Sequence, residues 1–387
     1  MKTLPNETRI SYDIFRTMKH TLHKPGSFLA ALFGGLAFLG FAEGISAQGL
    51  SPYVLAHKPP DASPALKQYI GDYGPDDATY IVLENYGRLI LRKPDGTSGI
   101  LQRASTYMRT GVVPAPEDGS DVDFLFPRPE HPLPVHFSRV GSERASGISL
   151  DGLTFPRRKL APDEGQPFRI QPARSIDQLR QEALSASPPQ ESGRFRSPDL
   201  VEIATLDPSI HLDIRYATPN DFLGTPVYTQ ARAFLQRPAA DSLLRALRRL
   251  KPYGYALLIH DAYRPWYVTK IFWDATPPEG KIFVADPAEG SRHNRGCAVD
   301  LTLYDLETGK PIEMPGTYDE MSPRSFPDYP GGTSLQRWHR DLLRWAMESE
   351  GFTVYEHEWW HFDFKDWSEY PILNVPFEKL QFAVTIH

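Results

Sequence analysis

Residues 291–303 read SRHNRGCAVDLTL, a loop that runs into an apolar strand. Successive side chains of a strand point to opposite faces, so Cys297 and every second residue after it share the core side. Asp300 then faces the other way, and Gly296 allows a bend that returns His293 toward it. An imidazole and a carboxylate are both metal-ligand types. The stretch therefore predicts two ligands of one metal site, with the cysteine in the core.

Residues 358–361 read EWWH and supply the groups that such a site still lacks. We expect His361 to be a third metal ligand and Glu358 to be the general base that takes a proton from water. The alternative is an aromatic core strand with a stray surface pair. Because a flat strand would point these two side chains to opposite faces, we predict a bend or bulge between them.

Arg264 lies between Tyr263 and Pro265, just after a predicted buried strand at 255–260. The proline restrains the residue before it to an extended conformation. An arginine held in this way can polarise a scissile carbonyl, which makes Arg264 a candidate for stabilising a transition state. The alternative is a surface salt bridge.

Four motifs follow one another in the second half of the chain. They are DIRYATPNDF at 213–222, DAYRP at 261–265, a Ser-x-His-x-x-Gly-x-Ala-x-Asp run at 291–300, and EWWH at 358–361. In this order they resemble the D-alanyl-D-alanine dipeptidases, the VanX-like zinc metallopeptidases. The resemblance covers residues from about 200 to 387.

That resemblance implies a mononuclear zinc enzyme with one Zn²⁺ per chain. The metal would be bound by His293, Asp300 and His361. Glu358 would be the general base acting on metal-activated water, and Arg264 would stabilise the transition state.

The resemblance also implies substrate recognition by Tyr216, Ser291 and Asp319. In chemical terms Asp319 is a carboxylate available for the free α-ammonium of a dipeptide. Two departures from the family pattern lie near this set. Glu320 stands where the family more often has an aromatic residue before the methionine, and residues 325–330 lack a histidine after the serine.

The predicted function is zinc-dependent hydrolysis of D-alanyl-D-alanine, a small dipeptide related to the peptidoglycan of the cell wall. One alternative is a D,D- or L,D-carboxypeptidase acting on peptidoglycan stem peptides, which must leave the pocket open beyond the substrate's amino group. A second alternative is a non-catalytic, zinc-stabilised module that binds the cell wall. Such a module has no need of a base or an arginine, so Glu358 and Arg264 argue against it.

The predicted fold class is α+β, with a central antiparallel sheet flanked by helices in a C-terminal zinc peptidase domain at 198–387. Apolar residues at helical spacing predict amphipathic helices at 238–250, where they are leucines, and at 334–350, where they are leucines, tryptophans and an alanine. A small β-rich accessory domain is predicted at 48–165, with hairpins at 80–92 and 148–155 that turn on a glycine. A helix and a Pro/Ser-rich linker at 166–197 would connect the two.

Residues 1–47 combine basic residues, an apolar run and small residues, which is typical of a signal peptide. We therefore expect an exported protein, periplasmic or extracellular, with an N-terminal membrane anchor as the alternative. A net charge of −6 gives no reason to expect a nucleic-acid partner, and no integral membrane partner is predicted. The single cysteine excludes an intrachain disulfide. Oligomeric state stays open.

Overall fold

The computed structural model describes residues 55–104, 124–139, 144–160 and 168–380. The predicted signal peptide at 1–47 lies outside the described residues. Within them, no helix combines the length and the apolar character that crossing a membrane requires.

In an N-terminal β region, residues 69–158, the described residues form nine strands in two antiparallel sheets. The first sheet consists of β1 (Gly71–Tyr73), β2 (Tyr80–Asn85), β3 (Arg88–Arg92) and β4 (Ser98–Ile100). The second consists of β5 (Gln102–Arg103), β6 (Phe124–Phe126), β7 (Leu133–Arg139), β8 (Ala145–Leu150) and β9 (Leu153–Pro156). Both sheets contribute side chains to one hydrophobic cluster. A short helix, α1 (Pro64–Lys67), precedes them.

Both predicted hairpins are confirmed. In the β2–β3 hairpin, Tyr86 and Gly87 have φ values of +47° and +80°. In the β8–β9 hairpin, Asp151 and Gly152 have φ values of +50° and +74°. Two consecutive left-handed residues match the right-handed twist of the strands that they join, which is why glycine is favoured in such turns.

Helix α2 (Ile176–Ser185) lies where a helix was predicted, and its buried residues join the C-terminal hydrophobic cluster. Residues 186–199 then run in irregular structure. Glu191 accepts hydrogen bonds from Arg295 Nη2 at 2.7 Å and from the backbone N–H of Ile372 at 2.6 Å. The predicted linker is thereby attached to the fold that it leads into.

A five-stranded sheet forms the centre of the C-terminal part. Its strands, in spatial order, are β11 (His211–Leu212), β13 (Tyr255–Asp261), β14 (Ala298–Asp305), β16 (Glu358–Phe364) and β15 (Phe352–Tyr355). The three pairs from β13 to β15 are antiparallel, as predicted, whereas the short edge strand β11 is parallel to β13. A separate antiparallel pair joins β10 (Leu200–Glu202) to β12 (Phe234–Gln236).

Three helices accompany this sheet: α3 (Arg237–Leu250), α4 (Trp266–Ala275) and α5 (Ser334–Glu348). The periodic apolar residues predicted α3 and α5 correctly, and Thr333 starts α5 with a capping box to Gln336. Helix α4 was not predicted. Seven of its ten residues are buried, so it lacks the one-sided apolar stripe by which a surface helix is recognised.

Strand β14 runs through the core, and its burial is nearly complete along its length. Cys297, just before it, is fully buried among core residues, as predicted. Burial raises the pKa of its thiol to about 12. A thiolate is therefore not available at this position near neutral pH.

Helix α5 carries a buried histidine that should make stability depend on pH. Burial, together with Lys58, lowers the pKa of His339 to about 4, and its Nε2 lies 2.8 Å from Tyr255 Oη. The unfolded chain, with a histidine pKa of about 6.5, binds the proton first as pH falls. The neutral His339 therefore stabilises the folded state fully only above about pH 6.5. Below that value the free energy of unfolding decreases, by about 2 kcal/mol at pH 5.

We expect His339→Gln to remove this part of the pH dependence. Denaturant unfolding gives the free energy of unfolding at pH 7.5 and at pH 5. The decrease between the two pH values should be about 2 kcal/mol smaller in the variant than in the wild type. His211→Gln, on the exposed edge strand, serves as the control and should keep the wild-type difference. An unchanged pH dependence in His339→Gln would contradict the prediction.

Candidate metal centre

His293 and Asp300 are presented by the predicted loop and strand. His293 begins a 3₁₀ turn, and Gly296 ends it with φ of +67°. A Cβ atom at Gly296 would lie 2.4 Å from Leu200 Cδ2, so both conformation and space favour glycine. Asp300, the third residue of β14, is directly opposite His361 on β16. Loop, strand and neighbouring strand thus bring three potential ligands together.

The donor atoms of these three residues form a small triangle. His293 Nε2 lies 3.1 Å from His361 Nδ1. Asp300 Oδ1 lies 3.3 Å from the first of these nitrogens and 3.0 Å from the second. Ligands at about 2.0–2.1 Å from a tetrahedral zinc ion lie about 3.3 Å from one another. The three donors are therefore spaced as zinc ligands are.

Hydrogen bonds outside the triangle determine which nitrogen of each ring faces inward. His293 Nδ1 lies 2.6 Å from the carbonyl oxygen of Ala262, and His361 Nε2 lies 2.9 Å from Asp363 Oδ1. Because these oxygens accept hydrogen bonds, the facing nitrogens carry the protons of the neutral rings. A lone pair on each ring then points into the triangle. Outer partners of this kind are usual for metal-binding histidines.

Asp300 Oδ1 is buried and receives no hydrogen bond. A buried carboxylate oxygen that faces two nitrogen lone pairs is unfavourable unless a cation lies among them. The three residues therefore fit a bound metal ion. Two imidazoles and one carboxylate are a ligand set that suits zinc.

Strand β16 bulges between Glu358 and His361, which confirms the predicted irregularity. Tyr355 of β15 pairs with Glu358, whereas the adjacent Val354 pairs with Phe362. The bulge brings Glu358 Oε2 to 3.8 Å from His361 Nδ1. Burial raises the pKa of Glu358 to about 7, although His361 acts in the opposite direction. A carboxyl group with this pKa can accept and release a proton near neutral pH.

Arg264 is buried, so it does not form the surface salt bridge that was the alternative. Its Nε and Nη2 atoms lie 2.9 Å and 2.8 Å from Asp261 Oδ2. Asp261 also accepts a hydrogen bond of 2.7 Å from the hydroxyl of Tyr228. The guanidinium lies over the rings of Tyr216 and Phe272, 5.4 Å and 4.7 Å from their centroids. These contacts hold the cation in one position beside the triangle.

Asp319 contributes another carboxylate. Its Oδ1 accepts a hydrogen bond of 2.9 Å from the hydroxyl of Tyr216, whereas its Oδ2 is buried and receives none. The hydroxyl of Tyr318 lies 3.0 Å from that of Tyr216 and 3.1 Å from Asp300 Oδ2. Hydroxyl groups thus connect Asp319 to Asp300 of the donor triangle. The unpaired oxygen is an acceptor for a cationic group.

All eight site residues named in the sequence analysis line one cavity of about 350 Å³. They are Tyr216, Arg264, Ser291, His293, Asp300, Asp319, Glu358 and His361. Residues from five separate stretches of chain thus meet at one place. The arrangement has the parts that metal-assisted hydrolysis needs: a ligand triangle, a carboxyl group near it and a fixed cation.

Asp261, Asp363 and Tyr318 are site residues that were not predicted from the sequence. Asp261 stands three residues before Arg264, at the end of a strand, which was a signal for an ion pair. Asp363 stands two residues after His361 in the same strand, and alternation alone would have placed both on one face. The contacts of Tyr318 depend on a loop conformation, for which the sequence carried no comparable signal.

Comparison with known proteins agrees with this geometry. A family model described as D-ala-D-ala dipeptidase, peptidase M15, matches residues 196–381. The D-alanyl-D-alanine dipeptidase of Escherichia coli is 35% identical over 179 residues, which cover 46% of this chain and 91% of that protein. This chain belongs to the D-alanyl-D-alanine dipeptidase family.

Other members of the family show the same extent of similarity. The D-alanyl-D-alanine dipeptidase of Enterococcus faecium is 35% identical over 182 residues, covering 42% of this chain and 90% of that protein. The D-alanyl-D-alanine dipeptidase of Streptomyces coelicolor is 33% identical over 186 residues, covering 43% of this chain and 92% of that protein. Peptidase M15 is a family of metallopeptidases, so the chain is a hydrolytic enzyme. The N-terminal β region lies outside the segment that the family model matches.

The hydrogen bond from His361 to Asp363 yields a prediction about metal affinity. We expect Asp363→Asn to weaken zinc binding about tenfold to a hundredfold, because the ring loses the carboxylate that orients it. Competition with a chromogenic chelator measures the change. Asp366→Asn, which alters an aspartate paired with Arg196, is the matched control and should bind zinc as the wild type does. Equal affinities in all three proteins would show that Asp363 has no such role.

Proposed function

We propose that this protein is a zinc-dependent dipeptidase that hydrolyses D-alanyl-D-alanine. The observation that carries the proposal is the meeting of the donor triangle, Glu358, Arg264 and Asp319 in one cavity. Membership of the family supports the substrate, since the relatives compared are named for this dipeptide.

Zinc would be held, one ion per chain, by His293 Nε2, Asp300 Oδ1 and His361 Nδ1. When bound, it supplies Lewis-acid activation of water and of the scissile carbonyl. The outer hydrogen bonds of the two histidines direct these nitrogens inward. The protein's own contribution is therefore a rigid ligand set that needs little rearrangement.

Glu358 acts as the general base. Its carboxylate takes a proton from the attacking water and then gives a proton to the leaving amine of the dipeptide. Burial brings its pKa to about 7, close to the range in which both transfers are efficient. The bulge in β16 supports this role, since it turns the carboxylate toward the metal ligands instead of the opposite face.

Arg264 stabilises the oxyanion that develops on the scissile carbonyl. Asp261 and the two aromatic rings hold its guanidinium, so little side-chain entropy is lost when the charge develops. A fixed cation in a site shielded from water acts more strongly than one on the surface.

Substrate recognition falls to Tyr216, Ser291 and Asp319. The unpaired Oδ2 of Asp319 offers a partner to the free α-ammonium of a dipeptide, and Tyr216 holds the other oxygen. Ser291 Oγ accepts a hydrogen bond of 3.2 Å from the N–H of His293, which leaves its own proton for the substrate. A buried carboxyl group that ionises when a cation lies beside it favours a substrate with a free amino group over a longer peptide.

The N-terminal part of the chain enters the proposal in two ways. We propose that residues 48–165 form a small β-rich accessory domain, supported by the separate hydrophobic cluster of the N-terminal β region. We also propose that residues 1–47 direct export to the periplasm or the exterior, which N-terminal sequencing of the exported protein would test.

The first test is hydrolysis of D-alanyl-D-alanine by the zinc-loaded protein. We expect release of D-alanine that a chelator abolishes and added zinc restores. N-acetyl-D-alanyl-D-alanine should react at least about tenfold more slowly, because it has no ammonium to pair with Asp319. Hydrolysis of a peptidoglycan stem peptide with no action on the dipeptide would contradict the proposal and indicate a carboxypeptidase.

The second test separates the base from the metal ligands. Glu358→Gln keeps the shape of the side chain but removes its ability to accept a proton. We expect kcat to fall by about 10²–10⁴, with the zinc content unchanged at one ion per chain. Glu356→Gln changes an exposed glutamate nearby and should leave kcat unaltered. Wild-type turnover by Glu358→Gln would show that the base is another group.

A further inference from the structure

The loop at 315–333, here called the Asp319 loop, runs from the cavity to the N-terminal β region. Its first part carries Tyr318 and Asp319, and Asp319 has φ of +59°. A left-handed conformation is uncommon for a residue other than glycine and persists only where neighbouring contacts maintain it. The position of the Asp319 carboxylate therefore depends on what holds this loop.

Glu320 holds the part of the loop around Asp319. Its side chain is fully buried. Its Oε1 accepts a hydrogen bond of 2.6 Å from Arg324 Nε, and its Oε2 accepts bonds of 2.8 Å and 2.9 Å from Arg324 Nη2 and the N–H of Thr317. The carboxylate thus ties together residues on both sides of Asp319.

The first contact with the N-terminal β region is made by Asp72 of β1. Asp72 is buried, and its Oδ1 accepts a hydrogen bond of 2.5 Å from the hydroxyl of Tyr329. Burial raises the pKa of Asp72, while the bond from Tyr329 and the charges of Arg158 and Arg324 oppose the rise. Arg340 donates a bond of 2.7 Å to the backbone oxygen of Tyr329. The middle of the loop is therefore held from both sides.

The second contact is made by Glu84 of β2, which is also buried. Its N–H donates to the carbonyl oxygen of Gly332 at 3.1 Å, and its Oε2 accepts from the N–H of Ser334 at 2.8 Å. Arg337 Nη2 donates to the backbone oxygen of Glu84 at 2.8 Å. A carboxylate at the first turn of α5 is also favoured by the helix dipole. This contact holds the end of the loop.

We propose that the N-terminal β region is a positioning element for the Asp319 loop. Asp72 and Glu84 hold the second half of the loop, and the pair Glu320–Arg324 transmits that restraint to Asp319. The β region thereby sharpens the preference for substrates with a free α-amino group. The inference rests on the proposed role of Asp319 in binding that group.

The test is Tyr329→Phe in the full-length, zinc-loaded protein, which removes only the hydroxyl that Asp72 binds. We expect KM for D-alanyl-D-alanine to rise about threefold to tenfold, with kcat within about twofold and zinc content unchanged. The ratio of kcat/KM for the free dipeptide to kcat/KM for the N-acetylated dipeptide should fall by the same factor as KM rises. Asp72→Ala, which removes the acceptor of the same hydrogen bond, should give the same result. A loss of general stability would not shift KM and selectivity while sparing kcat.

Tyr304→Phe is the matched control. Tyr304 lies on β14, outside the Asp319 loop. The substitution removes a hydroxyl that donates a hydrogen bond of 2.8 Å to the carbonyl oxygen of Ser209. KM, kcat and substrate preference should all stay at wild-type values. If this control shifts KM as much as Tyr329→Phe does, the effect is not specific to the loop and the proposal fails.

A second measurement does not depend on turnover. Hydrogen exchange of the backbone amides at 317–325 should be faster in Tyr329→Phe than in the wild type and in Tyr304→Phe. If the wild type does not hydrolyse the dipeptide, the proposed function fails, and exchange still reports whether the β region holds the loop. Unchanged exchange, or faster exchange with unchanged substrate preference, would overturn the inference.

Discussion

Asp300 and His361 lie directly opposite each other in the antiparallel pair β14–β16. Opposed residues in such a pair have Cβ atoms about 4.5–5.5 Å apart, close enough for both side chains to reach one ion. A slip of one residue would turn Asp300 to the core face, because side chains alternate with a period of two. The loop that carries His293 is anchored on this pair. The candidate metal centre, and the residues grouped around it, therefore depend on the register of two strands.

A second constraint is electrostatic. Four acidic side chains line or support the site within a short distance of one another: Asp261, Asp300, Asp319 and Glu358. Burial raises the pKa of Asp319 well above its ordinary value, and the nearby charge of Asp300 adds to the effect. Arg264 compensates part of this negative charge. The raised pKa favours the protonated form of Asp319 when no further cation is near, so a cation bound in the cavity would favour its ionised form.

The family model matches residues 196–381, yet residues on the two sides of position 196 are joined by buried contacts. The described residues of the N-terminal β region reach the Asp319 loop and the start of α5 through two buried carboxylates, Asp72 and Glu84. Helix α2, which also precedes the matched segment, adds its apolar face to the C-terminal cluster. Buried polar contacts of this kind are costly unless both partners are present, which ties the two parts to each other.

The sequence alone indicated the candidate residues of the site, namely three for a metal, one for a base and one for a cation, and it placed Cys297 in the core. It also determined the two hairpins and the helices α3 and α5, because turn glycines and the spacing of apolar residues are local signals. It did not reveal α4, whose burial on all sides removes the periodic pattern. Nor did it reveal the parallel edge strand β11 or the contacts of Tyr318 and Glu84. These depend on residues far apart in the chain, and only tertiary packing decides which distant side chains meet.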